Sequence, residues 1–366
     1  MNVERLHVIA IAIRDDINKT NIENSLQQLI QNLQNQVNQP QNTNFQQQVS
    51  QLRNTIFQSL ESAKSNDFSP TWKQVIEELG LKDILGIALK DRIESIFLRN
   101  QITPATALQE LQGIHKQITS TKGPLDQMIN AFQQFKIGIE KLEPGECEIG
   151  VLIPRSFVKN FLHGFAEELE NLNKIFTPFE ELTTGTREGF KIKTISSTDL
   201  SIFFSSHAIT AAGIAAAIER IIEAYKKLSE IRLINKQLSD IGVPDDKSKG
   251  ILDYSNEIVE GEIEKVSTEL VDKYYKKDDE RKHELKTAIK FSLRKIANRI
   301  DRGFNIEVKA EPFKESSEQT PKKQQEESKK AITEIQNKAK SLQFLKLDGE
   351  PILSLEEREP GKKRNP

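Results

Sequence analysis

A long apolar stripe in the middle of the chain constrains the fold more than any other feature of the sequence. Its members are spaced three or four residues apart: Ile214, Ile218, Ile221, Tyr225, Leu228, Ile231, Ile234, Leu238 and Ile241. Side chains with this spacing lie on one face of an α-helix. The stripe predicts one continuous helix over residues 207–240, which at 1.5 Å per residue would be roughly 50 Å long.

The residues before this stripe predict a small sheet. Strand-like segments lie at 148–153, 190–195 and 200–204, and an amphipathic segment at 155–175 follows Pro154. The resulting order, β-α-β-β-α, is typical of an α+β sandwich with helices on one face of the sheet. A further strand is predicted at 304–308.

The N-terminal part of the chain is predicted to be helical in spite of a tract rich in glutamine and asparagine. Residues 24–52 carry no charge, a composition that also occurs in disordered, aggregation-prone segments. Apolar residues nevertheless recur at helical spacing over 22–37 and again over 45–60, and Pro40 separates the two runs. We therefore expect a hairpin of two amphipathic helices whose amide side chains face water.

The expected fold class is mainly α with an α+β module. Four segments are predicted: an all-helical domain at 1–140, an α+β module with the long helix at 141–243, acidic and then basic helices with a strand at 251–309, and a tail at 310–366. Residues 242–250 are predicted to be a linker. Polar composition predicts a largely disordered tail, above all at 311–328, with a short helix and a small hairpin at Asp348–Gly349.

Composition narrows the class of protein. The formal net charge is −2 over 366 residues, so the whole chain lacks the excess of positive charge typical of polyanion binders. A single cysteine, Cys147, rules out an internal disulfide. The apolar run near the N-terminus is too short for a signal peptide, and the uncharged stretch at 200–218 is interrupted by polar residues. We therefore expect a cytoplasmic protein and no membrane insertion.

The sequence offers no catalytic, cofactor-binding or metal-binding motif. It contains no P-loop, no dinucleotide-binding glycine pattern, no GxSxG and no HExxH. His163 and Glu167 share a helical face, but a lone pair with this spacing does not make a metal site. Acidic neighbours of Cys147 disfavour a reactive thiolate. We therefore assign no catalytic residue, no cofactor and no metal.

Charge is unevenly distributed in the C-terminal half. Residues 251–280 contain ten acids and four bases, whereas residues 281–302 contain eight bases and two acids. The basic segment also has an apolar face, and its candidate polyanion-binding residues are Lys286, Lys290, Arg294, Lys295 and Arg299. A basic amphipathic helix can bind nucleic acid or an anionic membrane. We favour the alternative that the acidic segment packs alongside the basic helix and neutralises it.

These patterns predict a non-enzymatic interaction or assembly protein built on long amphipathic helices of the kind found in coiled coils. The predicted assembly interface is the later part of the stripe: Leu228, Ile231, Ile234 and Leu238. Its partner would be another protein or a second copy of this chain. Two alternatives are binding of nucleic acid or an anionic membrane by the basic helix, and an enzyme whose site is assembled from dispersed residues.

Overall fold

The described part of the chain forms two compact units, Met1–Lys141 and Leu142–Pro366. The computed structural model describes residues 3–138, 142–196, 200–277, 279–312, 322–338, 342 and 349–356. The protein is 72% helical and contains one small antiparallel sheet, so the fold is mainly α with a β-containing module, as the sequence predicts.

The N-terminal unit is built from helices. They are α1 (Val3–Thr20), α2 (Ile22–Asn38), α3 (Thr43–Glu61), α4 (Pro70–Glu78), α5 (Gly86–Arg99) and α6 (Pro104–Gln134). Short 3₁₀ turns at Lys64–Asp67 and Lys82–Ile84 join some of them. The Gln/Asn-rich tract forms α2 and α3, which pack against each other. Leu26, Leu29 and Ile56 are buried between the helices, so apolar spacing and not amide content determines the structure of this tract.

The C-terminal unit contains the sheet and the remaining helices. Its elements are β1 (Cys147–Leu152), α7 (Leu162–Thr184), β2 (Lys191–Ser196), β3 (Ser201–Ser206), α8 (Ala208–Lys226), α9 (Ser229–Asp240), α10 (Asp245–Tyr274), α11 (Glu280–Asp301), β4 (Asn305–Ala310) and α12 (Lys322–Lys338). The first five follow the predicted β-α-β-β-α order.

The sheet is antiparallel, with the strand order β2-β3-β1-β4. Ile149 of β1 lies opposite Phe204 of β3 on one side and Val308 of β4 on the other. These three side chains belong to one apolar core, which also contains residues from α7, α8, α10 and α11. Alternate residues of β1, β3 and β4 thus belong to this core, whereas the edge strand β2 is largely exposed.

The prediction of a single long helix over 207–240 is wrong, because the structure contains two helices in this range. α8 ends at Lys226 and α9 begins at Ser229. Lys227 and Leu228 between them keep nearly helical backbone angles, with φ of −67° and −95°. The apolar spacing therefore continues across the break, and the periodicity of the sequence cannot reveal it.

Other boundaries also differ from the predictions. The helix predicted at 155–175 begins only at Leu162, because Lys159 and Asn160 adopt positive φ angles that interrupt a right-handed helix. The predicted linker at 242–250 is short, since α10 already starts at Asp245, directly after Pro244.

In the C-terminal tail, α12 begins at Lys322, inside the segment predicted to be disordered, and buries Ile332 and Ile335 against the core. The predicted hairpin at Asp348–Gly349 lies partly outside the described residues, because Asp348 is not among them.

Candidate functional site

The basic face of α11 is paired with acidic side chains of α10. The Nζ atom of Lys286 lies 2.8 Å from Glu264, and Lys290 contacts the same carboxylate. Arg294 donates two hydrogen bonds to Glu260, at 2.6 and 3.1 Å. Hydrogen bonds from the two lysines lower the pKa of Glu264 to about 2. These are the contacts expected if the acidic segment neutralises the basic one.

The other two candidate polyanion-binding residues are buried. Arg299 forms a bidentate pair with Glu168 of α7, at 2.6 and 2.9 Å, and its guanidinium lies 5.8 Å from the ring of Phe157. Lys295 is buried, with its Nζ atom 4.6 Å from the centre of the Phe291 ring. A phosphate would therefore not reach Arg299 without disrupting the core around it.

The predicted assembly residues lie along a stripe that leaves the core. Leu228 is fully buried, whereas Ile231 is half-buried and packs at the edge of the core. Further along α9, Ile234 is 49% exposed and Leu238 is half-buried, and Ile241, just beyond the helix, is 76% exposed. An apolar surface thus begins where the stripe passes from the core to the outside.

A buried polar network links the C-terminal segment at Gly349 to helices α8, α9 and α11. Arg232 of α9 donates to a carboxylate oxygen of Asp301 at 2.8 Å and to the hydroxyl of Tyr225 at 2.6 Å. Tyr225 in turn donates to Asp301. Burial raises the pKa of Asp301 above its ordinary value and also raises the pKa of Tyr225. The Nε atom of Arg232 donates to the carbonyl oxygen of Gly349 at 3.1 Å.

Three further side-chain groups bind the backbone of the same C-terminal segment. The amide of Leu353 donates to Asp301 at 2.7 Å, and the amide of Leu355 donates to Asn298 at 3.1 Å. Asn298 returns a hydrogen bond to the carbonyl of Leu355 at 2.9 Å. Asn256 of α10 accepts from the amide of Ser354, also at 2.9 Å. Sequence reasoning missed these residues, because no local pattern marks a polar side chain that will bind a distant part of the backbone.

An apolar cleft of about 230 Å³ lies between α7 and the β2–β3 edge of the sheet. It is lined by Leu169, Leu172, Asn173, Phe176, Phe190, Ile192, Ile202 and Phe204. The three phenylalanine rings contact one another, with centroids 5.1 to 6.1 Å apart. Asn173 is the one polar residue among the lining residues, so the cleft lacks the convergent polar groups of a catalytic site.

Reactive groups are scattered in the described part of the chain. Cys147 is buried, and burial raises the pKa of its thiol to about 12, so the thiol is protonated at neutral pH. His163 and Glu167 form an exposed pair at 3.2 Å. Among the described residues, no group of three or more His, Cys, Asp or Glu side chains could hold a metal ion. No described helix is both long enough and apolar enough to span a membrane.

In comparisons with known proteins, no family model, no curated protein and no solved structure matches this chain.

Proposed function

We propose that this protein is a non-enzymatic assembly protein that self-associates through the apolar surface of α9. The observation that carries this proposal is the change in exposure along the apolar stripe, from fully buried Leu228 through half-buried Ile231 and Leu238 to exposed Ile234 and Ile241. An exposed isoleucine alone is ordinary on a protein surface. A stripe that continues out of the core is a surface on which the same kind of packing can extend to a second helix.

A second copy is the partner to which we commit. In a two-fold pairing the same patch meets itself, so each apolar residue of one copy finds apolar residues of the other. Full burial of an isoleucine side chain contributes about 1.5–3 kcal/mol. Each copy contributes the exposed side chains of Ile234 and Ile241, so four isoleucine side chains would be removed from water on association.

The test is multi-angle light scattering of the purified full chain, which should report a dimer or larger species. The double variant Ile234→Asp/Ile241→Asp should be monomeric, because four carboxylates would be placed in the interface. Leu98→Asp is the matched control: Leu98 is 63% exposed on α5 of the N-terminal unit, and its change should leave the mass unaltered. A monomeric unaltered chain would contradict the proposal.

Binding of nucleic acid or an anionic membrane by residues 281–302 is the second candidate. Lys286, Lys290 and Arg294 already have carboxylate partners in the same unit, and a phosphate would have to displace them. We therefore rank this function below self-association. The single cysteine is compatible with a reducing compartment, and we include a cytoplasmic location in the proposal.

A further inference from the structure

The C-terminal segment Gly349–Leu355 contacts the helices of its unit in the way that a bound peptide contacts a groove. Its apolar side chains Ile352, Leu353 and Leu355 are buried in the main core of the unit. The groups that hold its main chain come from three helices: Arg232 from α9, Asn256 from α10, and Asn298 and Asp301 from α11. The segment is therefore bound by both its backbone and its side chains.

The hydrogen bonds to the backbone of this segment are more informative than its apolar contacts. The amides of three consecutive residues, Leu353, Ser354 and Leu355, each donate to a side-chain oxygen of the groove. An extended segment that pairs with a neighbouring strand would have its amides satisfied by carbonyl groups. Here Asp301, Asn256 and Asn298 provide the acceptors, so the groove binds any main chain of this shape, and the apolar positions select the sequence.

We propose that this groove is a peptide-binding site whose ligand in the assembly is the Gly349–Leu355 segment of a second copy, so that two copies exchange their C-terminal segments. This inference rests on the self-association through α9 proposed above. A second copy provides the identical segment, so every hydrogen bond and every buried side chain of the groove is retained after exchange. Exchange of an identical element is a route to dimers that requires little change in contact energy.

The covalent connection sets how far the segment can reach. Leu342 is buried in the core, and six residues separate it from Gly349. Seven steps of the chain, at 3.3–3.6 Å each, span at most about 25 Å. The groove of the second copy must therefore lie close to Leu342 of the first. Docking through α9 would bring the two grooves close to each other, because Arg232 of the groove and Ile234 of the apolar surface are two residues apart on that helix.

The test uses cysteines at a contact between the groove and the segment. The Nδ2 atom of Asn256 lies 3.2 Å from the hydroxyl of Ser354, so cysteines at these two positions lie close together, and the double variant described below establishes that they form a disulfide. Full-length Asn256→Cys and full-length Ser354→Cys, with tags of different mass, are mixed under reducing conditions and then oxidised. Exchange predicts a disulfide-linked heterodimer, because a segment of one copy occupies the groove of the other. Native Cys147 is buried and does not compete.

Two controls define the background. Asn256→Cys mixed with Ser120→Cys, an exposed position in the N-terminal unit, measures disulfides formed by chance collision. Adding Leu353→Asp to the Ser354→Cys copy should abolish the heterodimer, since a carboxylate does not enter the apolar part of the groove. The double variant Asn256→Cys/Ser354→Cys shows that the two positions can cross-link within one chain.

The outcomes separate this inference from the proposed function. A heterodimer above the collision background supports exchange. A chain that is dimeric by light scattering but cross-links only within the double variant overturns exchange and leaves self-association through α9 standing. A heterodimer that persists when Ile234→Asp/Ile241→Asp is present in both copies supports exchange and overturns the role of α9. A monomeric chain with no heterodimer overturns both.

Discussion

Replacing Arg232 with methionine tests whether the buried polar network stabilises the C-terminal unit. Methionine keeps most of the apolar stem of the side chain but removes the guanidinium. Asp301, which is fully buried, then loses its cation, while Tyr225 and the amide of Leu353 remain as donors. The carbonyl oxygen of Gly349 loses its hydrogen bonds as well. The change therefore isolates the contribution of the charge.

The expected cost follows from the two ways in which Asp301 can respond. If it stays ionised, an uncompensated buried carboxylate destabilises the fold by about 3–5 kcal/mol. If it takes up a proton instead, neutralising a carboxyl group of ordinary pKa near 4 at pH 7 costs about 1.4 kcal/mol per pH unit, or about 4 kcal/mol. The smaller of the two costs limits the loss, so we expect the free energy of unfolding to fall by about 3–4 kcal/mol at pH 7.

The stability of the Arg232→Met variant should also depend on pH in a defined direction. Without the guanidinium, the pKa of Asp301 rises further above its ordinary value, so the folded variant binds a proton that the unfolded chain releases. Its stability then increases as the pH falls, and the loss relative to the unaltered chain should shrink to about 1.4 kcal/mol at pH 5. Because the one tryptophan, Trp72, lies in the N-terminal unit and all four tyrosines lie in the C-terminal unit, urea unfolding of the C-terminal unit is followed by tyrosine fluorescence.

Lys249→Met is the matched control, because it removes an exposed cation from α10 and should change stability by no more than about 0.5 kcal/mol. A cost for Arg232→Met below about 1 kcal/mol, or an equal cost at pH 5 and pH 7, would refute the reasoning.

Two further predictions concern the other parts of the chain. Leu29→Asp should destabilise the N-terminal unit more than Leu52→Asp, because Leu29 is fully buried and Leu52 only partly so. The measurement is thermal unfolding followed by Trp72 fluorescence. An unchanged melting temperature for both variants would mean that the helical hairpin contributes nothing to the stability of the unit. Glu260→Gln/Glu264→Gln should strengthen the binding of duplex DNA, because the two carboxylates no longer compete for the basic side chains of α11. The slope of log affinity against log salt concentration should steepen by about 0.9 for each phosphate neutralised. Equally weak binding before and after the change would rule out the basic helix as a nucleic-acid site.

Apolar periodicity predicted α2 and α3 because each of these helices buries one face. They correspond to the two runs of the Gln/Asn-rich tract, and the strand-like segments before the stripe became β1, β2 and β3. Periodicity failed where the backbone changes without moving the side chains off their face, as at Leu228 between α8 and α9. It also failed at Lys159 and Asn160, where two left-handed residues delay the start of α7.

Charge counting predicted that acidic and basic helices would face each other, but it did not predict the partner of each cation. Arg294 pairs with Glu260, which is 34 residues away in the preceding helix, whereas Arg299 pairs with Glu168, 131 residues away in α7. Both arginines lie on one basic helix and look alike in the sequence. Only the packing of α7 against α11 decides that Arg299 is buried and Arg294 is not.

The polar residues of the groove are explained by the hydrogen bonds that an extended segment requires when it packs among helices. Buried amides require acceptors, and the backbone carbonyls of a helix are already used within the helix itself. Side chains must therefore supply the acceptors, and short polar ones such as Asn256, Asn298 and Asp301 do so without filling the space that the segment needs. Apolar replacements of Asp301 or Asn298 would leave the buried amides of Leu353 or Leu355 unpaired, at about 1–3 kcal/mol each. The polar residues are thus explained by the backbone that they bind, whichever copy of the chain provides it.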